Sequence, residues 1–151
     1  MEDLLSEIKS KVFDDVNVKL TDFVLETESK EYKACRFLLK GKQIVSRTSK
    51  ITPKKKGQFV TFYQRDKNGV IEPFHEQDEI DYFLVKIYQN TGFFLFSEQI
   101  LIEKGILSTS QKEGKRAFRV YVPKDELTSK QALNTQKWQS DYFYEVNEDP
   151  D

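Results

Sequence analysis

The chain has 151 residues with a formal net charge of −1, 38% hydrophobic and 32% charged. That length suits one domain with its own core, residues 1–151, and excludes a need for disulfides or a metal to fold. The single cysteine, Cys35, excludes an internal disulfide and fits a reducing, cytoplasmic compartment. No apolar run approaches the roughly 20 residues that cross a bilayer, so no membrane partner is expected. The opening residues, MEDLLSEIKSKVF, lack the basic region and unbroken apolar run of a secretion signal.

In chain order, Leu4, Leu5, Ile8 and Val12 recur at helical spacing and predict a first helix over Asp3 to Phe13. Asp14 to Lys30 is ambiguous. ACRFLL, Ala34 to Leu39, reads as a strand, and KGK as a tight turn. Gln43 to Ile51 reads as a second strand, favoured by Ile44, Val45 and the threonines. TPKKKG is a loop, because its proline cannot sit in a central ladder and its glycine admits unusual dihedrals. QFVTFYQR, Gln58 to Arg65, is the strongest strand by composition, and DKNG follows as a hairpin-type turn.

Pro73 to Glu79 reads as an acidic loop, and IDYFLVKIY as a central strand. The NTG turn, Asn90 to Gly92, leads into a short strand FFLF. Ser97 caps a helix that Gly105 ends. RAFRVYV is another strand, stopped by Pro123. A last helix begins near Thr128 and carries Leu133, Trp138 and Tyr142. The expected fold is α+β: one curved, mixed, largely antiparallel sheet flanked by helices.

Charge is unevenly spread. Lys33 to Arg65 holds ten Lys and Arg and no Asp or Glu, while the other residues hold 14 cations against 25 acids. Met1 to Glu31 has nine carboxylates and four lysines, and the last eleven residues have five carboxylates and no base. A solvated face explains a short charge run. A window this long without an acid points instead to an anionic partner, most naturally nucleic acid phosphates. The expected contact residues are Arg47, Lys50, Lys54, Lys55, Lys56 and Arg65. Arg116 and Arg119 follow, in a strand that interleaves Lys115, Phe118 and Tyr121. Cations alternating with rings suit a nucleic acid strand; a core strand with outward arginines is the other reading. In a further variant, the acidic tail from Asn147 to Asp151 folds over the basic face.

SKITPKKKGQFVTFYQR, DYFLV, GKRAFRVY and SKQALNTQKWQ, in that order, resemble the MepB family of small bacterial proteins, a likeness running from about Glu31 to Phe143. The chain departs from the family at Tyr63 and Gln64, where tryptophan and lysine are usual. It departs also at Ser97, usually proline, and at PKDE, usually an aromatic turn. The family implies no reaction. More distantly, FVTFYQR followed by DYFLVKIYQNTGFFLFSEQIL is similar to the strand order of the restriction-endonuclease-like (PD-(D/E)XK) fold. That likeness implies Mg²⁺ held by strand-borne carboxylates with a lysine nearby. ACRFLL carries no acid where the aspartate falls, and VSRTSK offers Arg47, Ser49 and Lys50 instead. No metal site, catalytic residue or cofactor is therefore expected, and a phosphate-binding surface remains.

Other residues admit two readings. His75, in PFHEQDE, is either an exposed loop residue or a base or metal ligand with Glu76, Asp78 or Asp81. Cys35 beside Arg36 is either a buried hydrophobe or a nucleophile. Asp81 either orients Arg47 or Lys50, or caps its strand. Trp138 and Tyr142 form a packing pair or a stacking site. Gln131, Gln136 and Gln139 either reach base edges or are solvated. The alternative functions are a metal-dependent nuclease or nucleotide-processing enzyme using Asp81, Glu79 or His75, and a protein-interaction module. DNA, RNA and oligomeric state are left open.

Overall fold

The computed structural model describes residues 2–89 and 92–146. Asn90 and Thr91 of the expected turn, and the tail from Asn147 to Asp151, lie outside the described residues. The chain begins with helix α1 (Glu2–Glu7), which widens into one π-helical turn over Ile8–Val12. Strands β1 (Leu20–Leu25), β2 (Cys35–Leu39), β3 (Lys42–Thr48) and β4 (Lys50–Ile51) follow. Next come β5 (Gln58–Thr61), β6 (Tyr63–Arg65) and β7 (Ile71–Pro73), then β8 (Tyr82–Lys86) and β9 (Phe93–Ser97). Helix α2 (Glu98–Glu103), strand β10 (Ala117–Val120), helix α3 (Lys130–Ser140) and strand β11 (Phe143–Tyr144) complete the described chain.

Six strands form a mixed sheet in the order β1-β2-β3-β8-β9-β11. Only β3 and β8 run parallel among its described pairs. Both faces of this sheet are covered, which explains the unbroken apolar runs of β8 and β9. Alternate residues divide between two cores. Val45, Phe83, Val85, Phe94 and Phe96 face one, together with α2, α3 and the smaller sheets. Ile44, Phe37, Leu84, Phe93 and Leu95 face the other, closed by Leu4 and Ile8 of the N-terminal helix. The turn between β2 and β3 is Lys40–Gly41, with φ of 53° and 73°. A two-residue hairpin with the strands' own twist requires this pair of positive dihedrals.

The α+β expectation holds, with two differences in strand extent. QFVTFYQR is not one strand. It breaks at Phe62, so that β5 joins a three-stranded sheet, β10-β5-β4, and β6 pairs with β7. The break has a packing reason. The Phe62 ring is fully buried, stacked on Phe83 at 4.0 Å between centroids and tilted against Phe74 at 4.6 Å. Its N–H donates to the Arg116 carbonyl at 2.8 Å. The second strand likewise breaks at Ser49, whose N–H donates to the Lys86 carbonyl at 2.9 Å and whose hydroxyl donates to Gln58 Oε1 at 2.6 Å. Both breaks mark where the chain passes between sheets.

The ambiguous Asp14 to Lys30 segment contains the edge strand β1. Its register shifts between Thr21 and Val24, where Asp22 has φ 54°. Such an irregularity blunts an edge against further pairing and weakens its signal in sequence. DKNG forms the expected turn: Asp66 Oδ1 accepts from the N–H groups of Asn68 and Val70, at 2.8 and 2.9 Å.

Phe62 ties three elements through ring contacts. Its replacement by alanine is expected to cost about 3–5 kcal/mol of folding stability, read as a lowered midpoint in urea unfolding.

Candidate nucleic-acid interface

The acid-free window does not form one open basic face. Much of it is matched by acids from the segment just before it, Glu26 to Glu31. Arg47, expected at the surface, is completely buried. Its guanidinium donates to both oxygens of Glu26, Nη2 to Oε2 at 3.2 Å and Nη1 to Oε1 at 3.4 Å, and Nη1 also donates to the Ser46 carbonyl at 2.9 Å. Arg36, which lies opposite Val45 and so shares Arg47's face of the sheet, donates Nε to Glu26 Oε1 at 3.3 Å. Burial pushes the Arg47 guanidinium below its ordinary value, and Glu26 opposes that shift. Arg47 is therefore a structural cation and no phosphate contact.

Lys50 and Arg65 are tied to the same segment. Lys50 Nζ reaches Glu31 at 2.7 Å and sits over the Tyr32 ring, 4.9 Å from its centroid. Arg65 Nε pairs with Glu28 at 2.8 Å, and its Nη1 donates to the Gly69 carbonyl. Thr61 donates its hydroxyl to Ser29 at 2.8 Å. Residues 26–31 thus act as an acidic strap across five strands, β2 to β6. Arg116 pairs with Glu113 at 3.0 Å on the exposed surface.

The carboxylates, the histidine and the cysteine have structural work. Asp81 Oδ2 accepts from Gln43 N–H at 2.8 Å, and the Asp81 N–H donates to the Gln43 carbonyl. It docks the start of β8 on β3 and orients neither Arg47 nor Lys50. Asp81 lines a cleft of about 410 Å³ with Glu76, Glu79 and Glu98. Among the described residues, no three His, Cys, Asp or Glu converge closely enough to hold a metal ion. His75 caps the short 3₁₀ turn Glu76–Asp78: its Nδ1 accepts from Gln77 N–H at 3.1 Å, while Asp78 accepts from His75 N–H at 2.6 Å. Cys35 is buried, and burial pushes its thiol above the ordinary value. It is a small hydrophobe rather than a nucleophile.

A second group of cations gathers elsewhere. Helix α3, strand β10 and the loop before β5 enclose a groove of about 550 Å³ that carries Lys55, Lys56, Lys104, Lys115 and Arg119. None of its described lining residues is acidic. Lys54 extends from the same loop outside the groove. Lys54, Lys55, Lys56 and Lys115 form no ion pair among the described residues. The first turn of α3 also lines the groove through Ser129, Gln131 and Ala132. Ser129 caps the helix by accepting from Ala132 N–H at 3.1 Å, one residue later than the expected Thr128. The positive end of the helix dipole adds to the field of the lysines.

Two glutamines build this groove. β10 is an edge strand, so its outer backbone groups need partners. Gln139, fully buried, supplies them: Oε1 accepts from Tyr121 N–H at 2.8 Å and Nε2 donates to the Arg119 carbonyl at 3.0 Å. Gln136 Nε2 donates to the Val122 and Asp125 carbonyls, both at 2.9 Å. These amides are therefore spoken for and do not read base edges. Arg119 holds the lysine loop, donating Nη1 to the Lys56 carbonyl at 3.0 Å and Nη2 to Thr52 Oγ1, with its guanidinium over Phe59. Gly57 closes the loop at φ 75°, where a Cβ would lie 2.5 Å from the Tyr121 ring and 2.8 Å from the Val120 carbonyl. Any side chain there displaces the loop.

Of the expected contacts, Lys55, Lys56 and Arg119 meet in the groove. Arg47, Lys50 and Arg65 are engaged by the strap, and Arg116 lies outside the groove. Lys104 was missed, because it ends a helix far away in sequence; only the tertiary fold brings it to the groove that Lys55 also lines.

Fold and groove together define a small α+β protein with a cation-lined surface depression. The MepB-like family model matches residues 26–145, and the chain belongs to that family. A solved crystal structure of MepB is 35% identical in sequence and superposes with a TM-score of 0.83, covering 98% of this chain and 97% of that one. No curated protein matches the chain significantly.

Two outcomes follow from the strap. Glu26→Gln strands the charge of Arg47 in the interior and is expected to cost about 3–5 kcal/mol in denaturant unfolding. Arg47→Met costs less, because Glu26 keeps Arg36 and some contact with solvent. The protonated, buried Cys35 is expected to resist iodoacetamide at mildly alkaline pH in the folded protein and to react readily in urea, as followed by mass spectrometry.

Proposed function

We propose that the protein binds nucleic acid through its phosphates, using the groove between α3, β10 and the lysine loop. One observation carries this reading: five cations line a depression that has no described carboxylate, while Arg36, Arg47, Lys50 and Arg65 are matched by the acidic strap. Five like charges held together repel one another. A polyanion relieves that repulsion and releases counterions as it binds. Arg119 acts mainly by positioning the loop, and Lys55, Lys56, Lys104 and Lys115 meet the phosphates. On the same proposal, the distant likeness to the restriction-endonuclease-like fold is that of a scaffold that holds a phosphodiester chain without cutting it. The cytoplasm is the compartment proposed, in keeping with a lone, reduced, buried Cys35.

Fluorescence anisotropy with labelled DNA and RNA, from low to physiological salt, tests the reading. Neutralising about four phosphates gives a slope of log affinity against log salt of about −3 to −4. Lys55→Ala/Lys56→Ala/Lys115→Ala is expected to flatten that slope by about 2. Arg65→Ala, whose cation is already matched by Glu28, is expected to leave it nearly unchanged. Absence of salt-dependent binding to either nucleic acid at low salt overturns the reading.

A further inference from the structure

We infer that the nucleic acid this groove accepts is single-stranded, and that one of its bases stacks on Trp138. The inference rests on the groove being the nucleic-acid site proposed above. Two depressions adjoin on the surface of α3, the groove of about 550 Å³ and a second of about 470 Å³. They share Lys104, Gln131, Thr135 and Trp138, so the indole sits where one opens into the other. The second depression adds Lys137, together with one carboxylate, Asp141. Cations therefore flank an aromatic ring on a continuous path: Lys55, Lys56 and Lys115 before it, Lys104 beside it, Lys137 after it.

Each depression has the size of a small-molecule site. A duplex is a stiff cylinder with its base faces stacked inside, and it cannot enter such a space or offer a base to a ring. A single strand does both: its backbone bends to follow the cations and its bases are free to stack. Trp138 is prepared for this. One side packs on Phe96, 5.6 Å between centroids, and on Tyr142 at 6.4 Å, which fixes the ring. The ring is only half-buried, and the exposed Lys104 ammonium lies 5.5 Å from its centroid. An incoming base takes the ammonium's place on the ring, and the ammonium turns to the adjacent phosphate.

Trp138 is the single tryptophan, so its emission reports the contact directly. The full chain is titrated with oligo(dT), oligo(U) and a blunt DNA duplex of matched length, reading both anisotropy and Trp138 emission. The expected result is strong quenching by the single strands and none by the duplex, with single strands bound about tenfold or more tightly at equal salt. Trp138→Leu keeps an apolar side chain against Phe96 and is expected to weaken single-strand binding by about tenfold. Lys104→Ala, an exposed change that leaves the core alone, is expected to weaken it also while leaving the quench in place. Salt-dependent binding with unchanged Trp138 emission, or a duplex bound as tightly as a single strand, overturns the single-strand inference and leaves the basic groove standing. Failure of every oligonucleotide to bind overturns the nucleic-acid reading itself. Should Trp138→Leu fail to fold, the quench in the unaltered protein decides the matter.

Discussion

Glu26 and Arg47 meet at the end of β1, and their ion pair sets where the positive charge of the molecule can go. A guanidinium taken wholly out of water is tolerated only with a matched carboxylate and further acceptors. Glu26 and the Ser46 carbonyl supply them. The same segment then reaches over Arg36, Lys50 and Arg65 through Glu26, Glu28 and Glu31. One short acidic stretch thereby joins the edge of the large sheet to both small sheets. It also removes most of the central cations from the list of groups free to meet a ligand.

Lys54, Lys55, Lys56, Lys104 and Lys115 form no ion pair among the described residues and lie on loops and at a helix end. Their arrangement depends on the edge of β10. That edge lacks a strand neighbour, and α3 completes it with the amides of Gln139 and Gln136. Bonding a helix side chain to a strand backbone fixes the helix across the strand at close range. The gap that remains beside the contact is the groove. Gly57 and Arg119 then bring the lysine loop to its far wall. Structural glutamines and free lysines are thus parts of one device, in which uncharged amides hold the frame and the charges stay available.

Membership of the MepB-like family, and the close superposition on MepB over nearly the whole of both chains, make the sheet frame a shared property. The electrostatics are a matter of detail on that frame. Exposed ion pairs such as Arg116 with Glu113 are worth little and open readily. The buried pair is different in kind, since it cannot open without unfolding its surroundings. A map of positive charge drawn from lysines and arginines alone counts both kinds equally, although Arg47 is buried against Glu26 and Lys55 lines an open groove.

The amino-acid sequence alone determined the fold class, the helices, and the central strands β2, β3, β8 and β9, because those signals are local. Apolar runs, β-branched residues, the Lys40–Gly41 turn and the Ser97 cap act over a few residues. It also showed that positive charge is concentrated between Lys33 and Arg65. Tertiary structure alone decided the rest. Phe62 breaks an apparently continuous strand because its ring is needed in the core. Glu26 neutralises Arg47 from 21 residues away, and Lys104 joins Lys55 across a groove. Charge balance and ring packing act through space, and a window slid along the chain measures only neighbours in sequence.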